Sequence, residues 1–354
     1  MNLATVDKIA KAVLYEGYML YPYRPSSVKN QQRWSFGVLC PQSYSDAQDG
    51  SEASAMQTEC LVEGNSRTSL EIRARFLQLI ARSVGELTPP ATEFIPGEML
   101  EFRLAEKLEV NGRVYQAWQE AVEREVIVPV GTAEALVNNP MVHAFTFPAE
   151  EQLEPLRESG SQIVGILVRE ANALSGEVEV AVNRHARGLF KLSARIRNTT
   201  PFTVTSETNR KDALLSSLAS THTVLGVENG EFVSSLAPPE HVSDLVSSCK
   251  NVGTWPVLVG EEGRRDTMLS SPIILYDYPQ IAPESAGDLF DGTEIDEILS
   301  LRIMTLTDEE KLEMRQSDER ARRMLERTET MPVEQLMKLH GVLRGLRPLK
   351  EETP

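Results

Sequence analysis

Residues 70–76 read LEIRARF and alternate between apolar and charged side chains. Successive side chains of a β-strand point to opposite faces, so Leu70, Ile72, Ala74 and Phe76 would share one face. This two-residue period predicts a strand with one buried and one charged face. The continuation, FLQLIARSV, fits a helix as well as a strand, so the C-terminal boundary of this element is left open.

Further strands are predicted on both sides of this stretch. Asn111-Gly112 and Asn229-Gly230 favour the two-residue turns of β-hairpins, because Asn and Gly both accept a positive φ. We therefore predict a hairpin at each dipeptide. Apolar or alternating runs predict the remaining strands, over residues 57–62, 120–130, 142–147, 163–169, 177–182, 189–197 and 255–259.

These strands predict an α+β fold with a mainly antiparallel β body and a helical C-terminal region. A helix is expected over residues 6–20, where Ile9, Val13 and Leu14 fall on one face. The chain is long enough for two or three domains. We divide it into an N-terminal helix plus β-rich domain (1–155), a central β-rich domain with short helices (156–290) and a helical C-terminal region (291–354).

The C-terminal region carries its own helix signal. Thr307 and Glu310 fit a capping box, in which each side chain accepts a hydrogen bond from the backbone N–H of the other residue. The helix that follows, to about residue 328, is rich in opposite charges. Its few apolar residues, such as Met324 and Leu325, are expected to bury little. The helix is therefore expected to project or to cover a surface, and one hypothesis makes it a docking arm in a larger assembly.

Composition and charge exclude some classes of function. The formal net charge of −16 argues against nucleic acid and anionic membranes as partners, because both bind clustered Lys and Arg. The N-terminus lacks the basic start and uninterrupted apolar core of a signal peptide, and no run of about 18 apolar residues predicts a membrane span. Cys40, Cys60 and Cys249 form no CxxC pair, which favours a reducing cytoplasm. The oligomeric state stays open.

An acidic stretch without Lys or Arg lies between Arg265 and Arg302. Its carboxylates could bind a hard cation, meet a basic partner or begin a helix. Glu294, Asp296 and Glu297 fit the first turn of a helix, where free N–H groups and the helix dipole favour acids. The residues before that turn have no such explanation. The candidates for partner binding among them are Asp277, Tyr278, Glu284, Asp288 and Asp291.

Aromatic and basic side chains concentrate near the N-terminus. Half of the chain's eight Tyr residues lie within residues 15–23. Tyr and Arg are favoured at protein interfaces, because they bury a large amphipathic area with little loss of entropy. A core-lining helix whose Tyr hydroxyls reach solvent explains the pattern equally well. On the first interpretation the partner-binding residues are Tyr15, Tyr18, Tyr21, Tyr23, Arg24 and Trp34.

No residue pattern identifies a reaction. The sequence contains no GxSxG nucleophile elbow, no GxxxxGK[ST] phosphate loop and no GxGxxG fingerprint. The soft metal ligands of the central region do not follow zinc-site spacings. His222 is the strongest of them, because STHTVL surrounds it with hydroxyls, although a hydrogen bond to nearby backbone is the favoured interpretation. The candidate metal ligands are His185, His222, His241 and Cys249.

Four segments carry a resemblance to a known family: YEGYMLYPYRPSSVKNQQRWSFG, STHTVLGVENGEFVSSL, GTWPVLVGEEGRRDTMLSSP and ILYDYPQIAPESAGDLFDGTEIDEILSLRIMTLTDEEK. Through them the chain resembles uncharacterised bacterial proteins encoded beside nickel–iron hydrogenase genes and their maturation factors. The resemblance covers most of the chain and brings no catalytic residues with it. It implies an accessory or assembly role, with a hydrogenase subunit as the protein partner.

We therefore expect a non-catalytic cytoplasmic accessory protein that binds another protein. The alternative is a metal-dependent enzyme or metallochaperone that uses the histidine, cysteine and carboxylate ligands named above. The sequence identifies no cofactor, and a divalent metal belongs only to this alternative.

Overall fold

The computed structural model describes residues 3–15, 36–95, 101–159, 162–280, 303–317 and 319–332. Antiparallel β-sheet is the main regular structure of these residues, which agrees with the predicted β body. The helices are α1 (Leu3–Leu14), α2 (Gln42–Ala47), α3 (Ala133–Leu136), α4 (Arg210–Leu214), α5 (Ser243–Ser247), α6 (Asp308–Ser317) and α7 (Glu319–Glu329). The strands up to residue 157 are β1 (Ala55–Ala91), β2 (Arg103–Ala105), β3 (Lys107–Val110), β4 (Arg113–Gln116), β5 (Trp118–Val128), β6 (Met141–Phe147) and β7 (Glu150–Arg157). The later strands are β8 (Ile163–Ala171), β9 (Leu174–Ala186), β10 (Leu189–Asn198), β11 (Leu218–Phe232), β12 (Trp255–Leu258) and β13 (Thr267–Ser271).

Strand β1 is the centre of an 11-stranded sheet. One edge of this 37-residue strand pairs in succession with β10, β5 and β2, and the other edge pairs with β11 and β8. Beyond these neighbours, β9 and β6 follow β10, β13 and β12 follow β11, and β7 follows β8. All of these pairings are antiparallel. Each of the long described strands is therefore joined by backbone hydrogen bonds to β1, either directly or through one or two neighbouring strands.

The LEIRARF stretch lies in the middle of β1, as its alternation predicts. Ile72, Ala74 and Phe76 are fully buried and belong to the largest apolar cluster, which also contains residues of β9 and β10. The charged face is covered as well, because α1 lies on it and Asp7 accepts a hydrogen bond from Arg75 at 2.6 Å. The residues after Phe76 continue as strand, since both edges of β1 are paired there.

The two predicted hairpins have different outcomes. Asn111 and Gly112 have φ values of 52° and 73° and join β3 to β4, so the first hairpin is confirmed. The second prediction is wrong, because β11 continues through Asn229 (φ 55°) and Gly230 to Phe232. Asn229 sits in a bulge opposite residues 64–69 of β1, and its carbonyl accepts a hydrogen bond from the Thr68 hydroxyl at 2.7 Å. Only Asn229 of this dipeptide has a positive φ, and it lies opposite the extra β1 residues 65–68 instead of in a two-residue turn.

The C-terminal helices confirm the predicted cap but not the predicted exposure. The Thr307 hydroxyl accepts from the Glu310 N–H at 3.2 Å, and Glu310 accepts from the Thr307 N–H at 2.9 Å. Met324 and Leu325 are 2% and 0% exposed and pack in a cluster with Leu77 of β1. The expectation that these apolar residues bury little is therefore wrong, and α7 is not a projecting arm over its described length. The buried residues of α7 are Ala321, Met324, Leu325 and Thr328, and their spacing places them in one narrow stripe along the helix.

The N-terminal helix and the domain division are the remaining predictions. The N-terminal helix is present as α1, and residues 16–20 of the predicted span lie outside the described residues. Strands from both sides of residue 155 pair with each other, as β7 does with β8 and β1 does with β8, β10 and β11. The division at 1–155, 156–290 and 291–354 stays a prediction.

Candidate functional site

Asp277 is the predicted site residue that the structure explains best. Its Oδ1 accepts a hydrogen bond from the backbone N–H of Leu258 at 2.8 Å, and its Oδ2 accepts one from the Ser234 hydroxyl at 2.5 Å. The Ser234 oxygen in turn accepts from the backbone N–H groups of Leu236 and Ala237. Through these hydrogen bonds the Asp277 carboxylate holds strand β12 against the chain segment that follows β11.

Residues 272–278 form a strap that follows strand β13 and returns to the end of strand β12. Its first part is fixed because the Ser271 hydroxyl accepts from the Ile273 N–H at 3.1 Å. Ile273 and Leu275 pack against the apolar cluster formed by α1, β12 and β13. Its last part is fixed because the Tyr278 N–H donates to the Leu258 carbonyl at 2.7 Å. The strap is therefore held at both ends and along one side.

The other side of the strap exposes large apolar side chains. Ile274 is 72% exposed and Tyr276 is 83% exposed, and they alternate with Ile273 and Leu275, which pack against the cluster. Trp255, 45% exposed, lies opposite Ser271 in the β12–β13 pair. Leu236, 55% exposed, is tied through its backbone to the Ser234–Asp277 pair. These four residues are called the strap surface below.

Tyr278 turns inward at the end of the strap. Its φ of 55° is left-handed, and its ring packs partly buried against the main core. Burial raises the pKa of its phenol, and a hydrogen bond from the backbone at Gly263 opposes that rise. The loop around Gly263, which the sequence marks with two glycines and two arginines, is thereby connected to the strap.

His222 is buried in β11 and has a partner on each ring nitrogen. Nδ1 lies 2.7 Å from the Ser220 carbonyl, which can only accept, so Nδ1 carries the proton. Nε2 then accepts from the Ser271 hydroxyl at 3.2 Å. Burial lowers the pKa of His222 to about 4, so the ring is neutral near pH 7. The favoured interpretation, a histidine bonded to nearby backbone, matches this geometry.

The Ser271–His222 pair resembles the nucleophile and base of a hydrolase in its contact alone. Ser271 and His222 are 0% and 1% exposed. The Ser271 hydroxyl is also occupied by the Ile273 N–H, the bond that begins the strap. A substrate needs access to the nucleophile. The pair is therefore best understood as the internal support of the strap.

The other predicted metal ligands lie apart from His222. His185 is exposed near the end of β9, and His241 is exposed with Nε2 3.7 Å from Glu63. Cys249 packs beside α5, and burial raises the pKa of its thiol. Within the described residues, no group of three or more His, Cys, Asp or Glu side chains could hold a metal ion. Metal binding stays a prediction, and elemental analysis of protein purified without chelators tests it.

Tyr15 is the described member of the tyrosine-rich segment. It is 4% exposed at the end of α1, and the Arg320 guanidinium of α7 lies 4.0 Å from its ring centroid. Arg320 also donates a hydrogen bond to the Tyr15 hydroxyl, and burial raises the pKa of this phenol. The other predicted partner-binding residues lie outside the described residues: Tyr18, Tyr21, Tyr23, Arg24, Trp34, Glu284, Asp288 and Asp291.

Sequence reasoning missed the two outward residues of the strap. Residues 272–275 predict a short apolar strand, and of the strap residues only Asp277 and Tyr278 were named as candidates for partner binding. The available signal was the uninterrupted apolar run of residues 273–276, because a strand-like segment that packs one side on a core exposes the alternate residues. Ser234 had no sequence signal, since it meets Asp277 only through the fold.

Neither the models of known protein families nor the curated proteins compared with this chain give a match. None of the described helices is long and apolar enough to cross a membrane.

Proposed function

We propose that this chain is an accessory protein that binds another protein through the strap surface, Leu236, Trp255, Ile274 and Tyr276. The observation that carries the proposal is the outward exposure of Ile274 and Tyr276 on a backbone that is hydrogen-bonded at both ends. Clustered exposed apolar residues are typical of interaction sites, and aromatic anchors dominate the energy of many interfaces.

Rigidity supports the same proposal. A binding segment that is already ordered loses little conformational entropy when its partner arrives, so more of the contact energy is available as affinity. Asp277 supplies that order by holding Leu258 and Ser234. In this proposal Asp277 acts by positioning the strap, and the partner contacts its apolar neighbours.

The proposed partner is a subunit of a nickel–iron hydrogenase during its assembly in the cytoplasm. This part rests on the family resemblance of the sequence, which implies an accessory role near hydrogenase maturation. The proposed role is non-catalytic: the chain holds or delivers a subunit and leaves the chemistry to its partner.

Replacing the two anchors tests the proposal. In cells that express the hydrogenase genes, tagged wild-type protein should co-purify a hydrogenase subunit, and the Ile274→Ser/Tyr276→Ser variant should not. Loss of one well-packed anchor costs about 2 kcal/mol, roughly 30-fold in affinity. Unfolding midpoints in urea should stay close to wild type, because neither side chain is buried.

A matched control comes from exposed apolar residues elsewhere on the sheet. Leu104 and Ile127 are 68% and 57% exposed on β2 and β5. The Leu104→Ser/Ile127→Ser variant should recover the subunit as well as wild type does. Recovery that is equal for both double variants, or absent from wild type, would contradict the proposal.

A further inference from the structure

A cleft with an unusual concentration of positive charge lies where α1, β5 and α7 meet. Its volume is about 240 Å³, and its cationic side chains are Lys11, Arg320, Arg323 and Arg327. Glu123 is the acidic side chain among its lining residues. Four cations and one carboxylate leave a net local charge of +3 on a chain whose formal net charge is −16.

The helix geometry of α7 places the three arginines together. Arg320, Arg323 and Arg327 are spaced i, i+3 and i+7, so they lie on one face of the helix. Met324 also lines the cleft and is 2% exposed, because it packs in the core cluster that holds α7 on the sheet. The arginines are therefore carried by a helix with a fixed position.

The floor of the cleft is ordered around Tyr15. Arg320 stacks on the Tyr15 ring and donates to its hydroxyl, and one Arg320 nitrogen lies 3.9 Å from a Glu123 oxygen. A guanidinium held against an aromatic ring and a carboxylate has lost most of its freedom before any ligand binds. The floor is thus a preformed part of a binding site.

The rim can exchange its contacts. Arg323 is 74% exposed and donates to Glu319 at 3.0 Å on the same helix. An exposed pair of this kind contributes little to stability, so Arg323 can turn from Glu319 towards a ligand at low cost. Arg322 differs, because it pairs with Glu319 and Glu326 and does not line the cleft.

We propose that this cleft binds a small phosphate-bearing anion. Guanidinium forks match the oxygens of a phosphate, and several of them together with a lysine suit a multiply charged group. The cleft is smaller than the pockets of about 300–1,000 Å³ that hold drug-sized molecules. A cleft of this size accommodates inorganic phosphate, pyrophosphate or a short phosphate ester. This site is independent of the strap surface.

Calorimetric titration of the full chain with inorganic phosphate and with pyrophosphate tests the assignment, with sodium chloride used to keep the ionic strength constant. Wild type should bind at least one of the two saturably and show a raised melting temperature. Arg323→Gln and Arg327→Gln should each bind about tenfold more weakly, because each loses charge-assisted hydrogen bonds. Arg323→Lys, which keeps the charge and loses the fork, should fall between wild type and Arg323→Gln.

Arg322→Gln is the matched control on the same helix and should bind as wild type does. Melting temperatures in chloride alone should be similar for all variants, which separates binding from folding. The Ile274→Ser/Tyr276→Ser variant should also keep its phosphate affinity. Equal weakening by Arg322→Gln, or binding of poly-glutamate but of neither phosphate nor pyrophosphate, would overturn the assignment.

Discussion

At the scale of single residues, His222 links the protonation state of the core to the strap. The Ser220 carbonyl, the His222 ring, the Ser271 hydroxyl and the Ile273 N–H form a continuous chain of hydrogen bonds. The neutral ring can accept from Ser271, whereas the protonated ring can only donate. Protonation would therefore remove the acceptor on which the start of the strap depends.

We expect this chain of bonds to make stability depend on pH. Burial places the pKa of His222 at about 4 in the folded chain, against 6.5 for the free side chain. Between these values the unfolded chain binds more protons than the folded chain, so the free energy of unfolding should fall as the pH decreases from 6.5 to 4. The His222 contribution is about 3 kcal/mol.

Urea denaturation at pH 7 and pH 4.5 measures this contribution. His222→Gln should lose stability at pH 7 and should show a smaller decrease between the two pH values than wild type does. His185→Gln serves as the control for the histidine-to-glutamine substitution, because His185 is exposed and lies outside this chain of hydrogen bonds. An identical decrease in wild type and His222→Gln would show that His222 does not titrate in this range.

At the scale of elements, α7 illustrates how a highly charged helix becomes part of a core. Ala321, Met324, Leu325 and Thr328 follow the i, i+3, i+4, i+7 spacing and are the buried residues of the helix. Its charged residues surround that narrow stripe, and some of them line the basic cleft on one side. The helix thus joins the apolar core to the basic cleft.

A pair of leucines distinguishes this packed arrangement from a projecting arm. Leu325 is fully buried, so Leu325→Ala should lower the free energy of unfolding by about 2–5 kcal/mol through lost contacts and a residual cavity. Leu312 of α6 is 50% exposed, and Leu312→Ala should change stability by less than about 0.5 kcal/mol. Urea denaturation of both variants provides the measurement, and equally small effects would show that α7 does not pack as described.

The sequence predicted individual strands, turns and helix caps better than it predicted which residues pack against them. The LEIRARF alternation, the Asn111-Gly112 turn and the Thr307 capping box are local signals, because the physical cause and the residues that show it are close in the chain. Asn229-Gly230 carries the same local signal, but its partner is a bulge more than 150 residues away, where Thr68 bonds to the Asn229 carbonyl. Residues far apart in the chain decide whether such a dipeptide forms a turn, and a single sequence does not show which residues will meet.

The same limit applied to the candidate sites. Asp277 was predicted as a partner-binding residue, and its hydrogen-bond partners in the fold, Ser234 and Leu258, are 43 and 19 residues away. Tyr15 was selected for its neighbours in sequence, whereas its contact is Arg320, 305 residues further on. Only the arginine spacing on α7 was available from the sequence, and Glu319, Glu326 and Glu329 in and around it gave the helix the pattern of an ordinary mixed-charge surface.

At the scale of the whole molecule, β1 makes the two halves of the chain depend on each other. Its edges pair with β2 and β5 from the first half and with β8, β10 and β11 from the second. A fragment of residues 1–155 would keep β1 but lose three of its five neighbours. The unpaired backbone groups and the uncovered apolar face would then be exposed to solvent.

We therefore expect neither residues 1–155 nor residues 156–354 to fold alone. Each fragment should lack near-ultraviolet circular dichroism and cooperative unfolding in urea, because the cluster around Ile72 and Phe76 takes residues from both halves. Co-expression should restore a complex with the spectrum of the intact chain, since β1 can then pair with β8, β10 and β11 across the break.

A break at residue 155 lies inside β7. A second break at residues 160–161, between β7 and β8, is therefore the control for local damage to that strand. Cooperative unfolding of an isolated 1–155 or 1–160 fragment would instead support an independent N-terminal domain, and would mean that the shared sheet is a contact between domains and not a single core.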